Sequence, residues 1–431
     1  MNFHVLTLFP DMIEAGLHTS VTGRALKNGY IHLSAVNIRD YSKDKHKHVD
    51  DYPYGGGAGM VMQPEPIYLA YEDVTQNMEK KPRVVYVTPQ GSVFNQSMAE
   101  EFSKEEDLIF LCGHYEGVDE RILELRRHME EKDIDIYVVP TSDFHQSEYV
   151  GEYFKARKFI TGFTGSAGTA VITRREARLW TDGRYFIQAA GELADSHVEL
   201  MKMGHPDTPT IEEYLEEALP EGGAIGFDGR TVSMGEGCQY EAIARRKKGR
   251  VVFRYDLIDK KWKDRPGISE EPVFILEEKY AGESTASKLK RIRSVMEEQG
   301  ATMHLLTTLD DICWTLNIRG NDIEFFPLAL SYAIISMDYM YLYIDEKKID
   351  EEIKDRLAKD GVVLHSYNAI YMDVCGLSSE DRLMIDPDRL NYALYRSIPK
   401  DVVRIEERNP EILFKAVKNP VEIENIRHAQ I

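Results

Sequence analysis

The sequence has few cysteines, and none has the spacing of a structural site. Four are scattered through 431 residues without a CxxC pair: Cys112, Cys238, Cys313 and Cys375. Disulfide frameworks and zinc sites use closely spaced cysteines, so this distribution argues against both and favours a reducing compartment. No apolar run approaches the roughly 18 residues that cross a bilayer, and the N-terminus lacks the basic leader of a signal peptide. We therefore expect a cytoplasmic protein with no membrane partner.

Positive charge is also scarce. The chain has 53 Lys and Arg against 73 Asp and Glu, a net charge of −20. Residues 1–124 contribute −8 of this, from 11 basic and 19 acidic residues. Such a surplus opposes general binding to nucleic acid, and we expect no DNA partner. The only compact basic segment is KDKHKH (43–48), which taken alone is interpreted as a solvated loop.

Short apolar runs that end in glycine organise the first 124 residues. FHVLTLF (3–9) predicts a strand and is followed by a helix through 12–17. RVVYVTPQG (83–91) and DLIFLCGHYEG (107–117) predict two more strands with glycine-containing loops. This alternation indicates a parallel α/β sheet. In such sheets ligands bind at the carboxyl ends of the strands.

Three loops in this region carry a specific pattern: DDYPYGGGAGM (50–60), YVTPQG (86–91) and LCGHYEGVDER (111–121). In this order and spacing they closely resemble the bacterial tRNA (guanine-N1)-methyltransferases, whose parallel α/β (SPOUT) domain is tied in a trefoil knot and forms a homodimer. The resemblance implies that S-adenosylmethionine lies against Tyr86, Pro89, Gly91, Gly113, Tyr115 and Glu116. It also implies that the target guanine of tRNA lies near Asp50, Tyr54, Gly55, Gly57 and Gly59.

The general base of that family has no counterpart here. In the family it follows a glycine-rich segment similar to SIGDYVLTGGE, which closes the knot. This chain instead turns into a new helix after Arg121, and its glycine pair at 222–223 lacks the flanking residues. Residues 1–124 are therefore expected to hold about half of a cofactor pocket, no catalytic residue, and at most a weak affinity for S-adenosylmethionine.

An internal duplication begins near residue 125. RRHMEEKDIDIYVVPTSD (126–143) aligns with RSVMEEQGATMHLLTTLD (293–310) at a constant offset of 167 residues. This predicts two sister α/β domains, 125–262 and 270–410, joined by a linker rich in charge, proline and glycine at 260–272. Residues 411–431 predict one further amphipathic helix that opens another domain.

The duplicated region resembles the two N-terminal domains of three-domain Xaa-Pro aminopeptidases of the creatinase/prolidase superfamily. The similarity lies in SDFHQSEYV (142–150), FITGFTGSAGTAVIT (159–173), LWTDGRYFIQA (179–189) and LNIRGNDIEFFPLALSYAII (316–335). In that family a C-terminal domain holds two metal ions, usually manganese, which activate water for hydrolysis. Its five ligands would follow Ile431, so manganese is not expected in this chain.

Two further residues of this region, Arg319 and His145, are candidates for a site. The resemblance implies that Arg319, in the NIRG loop, helps to shape a substrate channel. The alternative is that Arg184 and Arg319 are buried and pair with the nearby Asp182 and Asp322. His145 has no second histidine at helical spacing, so a surface or turn position is expected rather than a metal ligand.

The predicted fold class is α/β, with an incomplete knotted-methyltransferase-like parallel sheet followed by two sister creatinase-N-like domains. The two sequences meet near Glu124–Leu125, inside one helix whose apolar stripe contains Ile122, Leu123, Leu125 and Met129. The join leaves the first sheet short of strands, with open edges and uncovered apolar faces. We expect a fusion that is catalytically incomplete for both reactions and forms homo-oligomers. The alternatives are a functional methyltransferase that binds its cofactor weakly, and a scaffold that dimerises or caps a separate catalytic subunit.

Overall fold

A computed structural model of the protein describes residues 1–51, 61–76, 78, 80–88, 92–113, 120–194, 196 and 198–430. The chain forms two compact units. The first contains residues 1–133, 160–165 and 170–208, and the second contains residues 134–159, 166–169 and 209–431. The predicted domain limits follow sequence similarity and stay predictions. Of the helices described, none is both long enough and apolar enough to cross a bilayer.

The first sheet is parallel, as predicted. Its strands run in the order β2-β1-β6-β5. A short antiparallel pair, β3 and β4, lies apart from it. These strands are β1 Asn2–Thr7, β2 His32–Asn37, β3 Asp50–Asp51, β4 Val61–Met62, β5 Arg83–Val87 and β6 Asp107–Cys112. The helices are α1 Pro10–Leu17, α2 Ser20–Lys27, α3 Pro64–Thr75, α4 Gln96–Phe102 and α5 Glu120–Glu131.

The core of this first segment is small. It includes Leu6, Ile38, Met62 and Ile109, all at most 1% exposed. Helices α1 and α2 contain no fully buried residue. The edge strand β5 leaves Val84 and Val87 47% and 56% exposed, whereas parallel sheets are normally covered on both faces. These side chains are part of the uncovered apolar surface that the sequence predicted.

The second sheet has six strands in the order β10-β9-β8-β7-β11-β12. They are β7 Ile136–Pro140, β8 Thr169–Thr173, β9 Ala177–Thr181, β10 Val198–Lys202, β11 Ala224–Phe227 and β12 Arg250–Val252. The helices of this region are α6 Ala156–Thr161, α7 Phe186–Glu192, α8 Ile211–Ala218 and α9 Met234–Arg246. Capping boxes built on Thr210 and Ser233 begin α8 and α9.

The third sheet repeats this order as β18-β17-β16-β14-β19-β20. Its strands are β14 Met303–Leu306, β16 Ser331–Ser336, β17 Met340–Ile344, β18 Val362–His365, β19 Arg382–Ile385 and β20 Val403–Glu406. A two-stranded ribbon is formed by β13 Phe274–Ile275 and β15 Ile318–Arg319. The helices are α10 Glu278–Ala281, α11 Thr285–Gln299, α12 Leu309–Leu316, α13 Glu351–Lys359, α14 Ile370–Cys375, α15 Tyr392–Ser397, α16 Pro410–Ala416 and α17 Pro420–Ala429.

The side chains also show that the two regions are sisters. Arg126 and Arg293, which the sequence alignment pairs, each donate from Nε to a carbonyl at the end of an equivalent strand. The acceptors are Thr173 at 3.0 Å and Ser336 at 2.9 Å. The duplication is therefore present both in topology and in this hydrogen bond.

The single helix expected after residue 410 is wrong, since the structure has two, α16 and α17. Pro420 lacks an N–H and disfavours helical geometry at the residue before it. Asn419 takes that position and caps α17, accepting from the backbone N–H of Glu422 at 3.0 Å. The break was encoded in the KNPVE sequence.

Candidate functional site

Two of the predicted cofactor residues lie together at the carboxyl ends of neighbouring strands. Tyr86 in β5 is in register with Leu111 in β6, and Gly113 directly follows β6. A Cβ atom added to Gly113 would lie 3.1 Å and 3.2 Å from two atoms of the Tyr86 side chain. The tyrosine thus packs closely against Gly113, and a side chain at this position would require the ring to shift by a few tenths of an ångström. Ligands bind at the carboxyl ends of the strands in parallel sheets, and the cofactor role of these two residues stays a prediction.

The other predicted cofactor residues, Pro89, Gly91, Tyr115 and Glu116, lie outside the described residues. Cys112 is the one thiol beside the Tyr86–Gly113 corner in the described chain, and burial raises its pKa. A protonated thiol is a poor nucleophile.

Of the residues predicted to lie near the target guanine of tRNA, the structure describes Asp50 alone. Asp50 lies in β3, opposite Met62 of β4, and its backbone carbonyl accepts a 3.2 Å hydrogen bond from the Gln63 side chain. Tyr54, Gly55, Gly57 and Gly59 fall outside the described residues. Asp50 therefore stands at the base of the glycine-rich loop that the sequence singled out.

The basic segment 43–48 is largely neutralised by its own neighbours. Lys43 pairs with Glu65 at 2.7 Å and Lys47 with Asp40 at 2.6 Å. Hydrogen bonds from backbone N–H groups, first that of His48, lower the pKa of the Asp44 carboxyl. A solvated, internally paired loop is the better description, as the sequence suggested.

His145 is fully buried, so the expected surface position is wrong, although the residue does lie in a turn. Its Nδ1 is 2.9 Å from the carbonyl oxygen of Thr307 and its Nε2 is 2.7 Å from the Tyr367 hydroxyl. Burial lowers the pKa of His145, which favours the neutral ring. Nδ1–H then donates to the carbonyl, and Nε2 accepts from tyrosine. The histidine is held by partners 162 and 222 residues away, which no local pattern reveals.

The residues that the structure describes do not fit a pair of manganese ions. Across the described ranges, no group of three or more His, Cys, Asp or Glu side chains is arranged to hold a metal.

Arg319 donates from Nη1 to the backbone carbonyls of Cys313 at 3.0 Å and Ile318 at 2.8 Å. It thereby stabilises the NIRG loop, and its place in a substrate channel stays a prediction.

The pairings proposed for the two arginines are half correct. Arg184 does pair with Asp182 at 2.9 Å, but on the surface, with 68% of its side chain exposed. Asp322 is buried and pairs with Lys348 rather than with Arg319. The buried carboxylate of this region is therefore balanced by a lysine that the sequence did not single out.

Comparison with known families divides the chain in the same way. Residues 1–144 match the tRNA (Guanine-1)-methyltransferase family, while residues 121–252 and 264–422 match the Creatinase/Prolidase N-terminal domain. The chain is a fusion of two unrelated segments. The methyltransferase-like and aminopeptidase P-like matches overlap at 121–144, and the predicted join at Glu124–Leu125 lies within that overlap.

Curated relatives agree with the second assignment. Aminopeptidase P1 of Arabidopsis thaliana is 36% identical over 325 residues, which cover 69% of this chain and 50% of that protein. A probable Xaa-Pro aminopeptidase P of Neurospora crassa is 37% identical over 324 residues, covering 72% of this chain and 47% of that protein. The chain thus spans about half the length of the curated relatives it matches.

Two solved structures are similar to parts of the chain. One is the X-prolyl aminopeptidase of Caenorhabditis elegans, described as a cytosolic enzyme with a di-nuclear active site. It superposes with a TM-score of 0.68 and is 32% identical in sequence. The match covers 72% of this chain and 53% of that one. The tRNA (m1G37) methyltransferase of Aquifex aeolicus is 41% identical over 28% of this chain and 54% of its own, with a TM-score of 0.26.

Proposed function

We propose that this chain is catalytically incomplete for both reactions that its segments resemble. It combines a partial S-adenosylmethionine-dependent tRNA (guanine-N1)-methyltransferase domain with the non-catalytic N-terminal domains of a Xaa-Pro aminopeptidase. The aminopeptidase half of the proposal rests on the described residues, which offer no group of three or more side chains arranged to hold a metal. The methyltransferase half rests on the path of the chain after β6. It enters α5 and then β7, whose partner β11 belongs to the second sheet, so the described first sheet keeps four strands.

The side chains around Tyr86 and Gly113 support the methyltransferase half of the proposal. Transfer to guanine N1 needs a group that takes the N1 proton while the methyl donor is held in line. The described residues at this end of strands β5 and β6 are Tyr86, Gly113 and Cys112, whose thiol is protonated. None of these is a carboxylate. S-adenosylmethionine would supply the methyl group, and these residues would supply one wall of its pocket.

Two assays on the purified chain test the proposal. Tritium transfer from S-adenosylmethionine to a tRNA transcript should not exceed that of a transcript with adenosine in place of the target guanosine. Cleavage of a Xaa-Pro peptide with added manganese should not exceed that of the peptide with buffer alone. A full-length enzyme of each family is the positive control. Specific turnover in either assay would refute the corresponding half of the proposal.

Residual binding of S-adenosylmethionine is a second candidate function, favoured by the close contact between Tyr86 and Gly113. We expect a weak, saturable signal in calorimetry that is lost in Gly113→Val, because the new side chain would displace the tyrosine ring. Absence of heat at millimolar ligand would eliminate this candidate. Methylation together with binding would instead support the functional methyltransferase.

Assembly is a third candidate, favoured by the exposed apolar side chains at the edge of the first sheet. Val84 and Val87 are exposed on β5, the end strand of the first sheet as the structure describes it, and apolar side chains at a sheet edge commonly recruit another chain. We propose a homo-oligomer in the cytoplasm. Light scattering coupled to gel filtration should give a mass above 49.5 kDa, and a strictly monomeric peak would count against it.

A further inference from the structure

A cavity in the second unit carries features of a binding site that are independent of the functions proposed above. It has a volume of about 450 Å³, within the range of small-molecule pockets. Residues from both sister domains line it, including Phe144 and Arg230 from the first and Tyr371 and Arg396 from the second. Sites at the interface between domains are a common place for small ligands.

The two walls are fixed to each other by main-chain contacts. Ala393 donates its N–H to the carbonyl of Gly229 at 2.8 Å, and Tyr392 donates to Val232 at 2.8 Å. The Asn391 side chain donates to the Phe144 carbonyl at 2.9 Å. The cavity therefore has a defined shape before any ligand arrives, which reduces the entropy cost of binding.

Three arginines line the cavity against a single carboxylate, Asp228. Arg230 forms a two-point ion pair with Asp228, at 3.0 Å and 2.8 Å, and its guanidinium lies 4.4 Å from the centre of the Phe144 ring. Arg396 is partly neutralised by Glu241 at 3.2 Å. Arg254 has no ion pair in the described chain, and its guanidinium lies 5.9 Å from the Phe253 ring. The local charge is positive although the whole chain carries −20.

Tyr371 adds another aromatic side chain to the lining of the cavity. Its hydroxyl is buried beside Tyr332 and Asn391. The residue therefore offers the cavity an aromatic surface rather than an accessible hydrogen-bond donor.

We propose that this cavity binds a small organic anion composed of one flat ring and a carboxylate or phosphate group. The arginines would hold the anionic oxygens through charge-assisted hydrogen bonds. The aromatic walls would contact the ring, since guanidinium and aromatic faces both favour flat partners. An inorganic ion alone would leave most of the volume unfilled.

Calorimetry with four probes tests the assignment. Benzoate and phenyl phosphate carry both a ring and a charge, and the tighter of the two identifies the anionic group. Benzyl alcohol has only the ring and inorganic phosphate only the charge, so both should bind at least about tenfold more weakly. Equal binding of the charged and uncharged ring compounds would overturn the proposal, as would no binding of either aryl anion at millimolar concentration.

Matched variants localise the binding. Arg254→Gln should weaken the aryl anion about tenfold, while Arg427→Gln, which alters an arginine 72% exposed on α17, should leave it unchanged. Ala393→Phe should block the cavity without removing a charge. Because Arg254 is exposed, its variant is expected to keep the wild-type melting temperature. Unchanged affinity in a folded Arg254→Gln protein would overturn the proposal.

Discussion

Lys348→Met would remove the cation from a fully buried ion pair. The side chains of Lys348 and its partner Asp322 are 1% and 0% exposed. Asp322 also accepts a 2.6 Å hydrogen bond from the Leu330 N–H through the same oxygen, Oδ2. Its Oδ1 is buried without a hydrogen-bond partner in the described chain. Methionine preserves the length of lysine but leaves this carboxylate with little compensation.

The expected loss is about 3–5 kcal/mol, because removing one member of a buried pair leaves an uncompensated charge. Since about 1.4 kcal/mol is a factor of ten, this corresponds to a roughly 100- to 4,000-fold change in the local opening equilibrium. Lys348→Met combined with Asp322→Asn should recover most of the loss. The asparagine oxygen still accepts from Leu330, and no charge remains buried.

The neighbouring lysine is a matched control. Lys347 pairs with Glu270 at 2.6 Å, but their side chains are 68% and 59% exposed. Surface pairs contribute about 0–1 kcal/mol, so Lys347→Met should have little effect. The two variants make the same chemical change at adjacent positions and differ in burial.

Hydrogen exchange followed by mass spectrometry measures the effect locally. Peptides from β16 and β17 should exchange much faster in Lys348→Met and at the native rate in Lys347→Met. Similar protection in both variants would refute the reasoning, and so would a double variant no more stable than Lys348→Met alone.

Three other predictions follow from the structure. Gly113→Ala should reduce the affinity for S-adenosylmethionine, measured by calorimetry, because the added methyl group would shift the Tyr86 ring. Burial, partly offset by Asp143, lowers the pKa of His145. As the pH drops through about 6.5 the unfolded chain therefore binds a proton before the folded chain does, and the stability of the folded state falls. His145→Gln should flatten that part of a plot of melting temperature against pH. Arg126→Met should cost roughly 1–3 kcal/mol in thermal unfolding, and the exposed Arg127→Met far less, because only Arg126 bonds the Thr173 carbonyl.

Much of the fold could be predicted because the relevant signals are local. The parallel first sheet followed from apolar runs that end in glycine, and the sister domains followed from one alignment. That alignment pairs Asp133 with Gly300, and both have a left-handed backbone, with φ of 53° and 68°. Such a turn depends on a few consecutive residues, so its position is retained in both copies.

The burial of His145 and the cavity of the second unit could not be predicted in this way. His145 lies in the polar segment SDFHQS, and only its distant partners, Thr307 and Tyr367, make it an interior residue. The arginines around the cavity likewise come from separate parts of the chain, and no motif connects them. Their proximity depends on the packing of the sister domains, which a single sequence does not reveal.

Helix α5 explains how the join can be structurally tolerable. Two of its apolar residues, Leu125 and Met129, are buried. Arg126 donates to the Thr173 carbonyl, and its guanidinium lies 5.3 Å from the centre of the Tyr68 ring in α3. Glu130 forms an ion pair with Lys81 at 2.7 Å. One helix thus serves both parent sequences, because a helix requires only a continuous apolar stripe and suitable neighbours. A methyl-transfer site requires more, since its groups come from several loops that follow different strands. A join that keeps the helical period therefore preserves local packing, whereas the catalytic incompleteness that we propose concerns groups outside this helix.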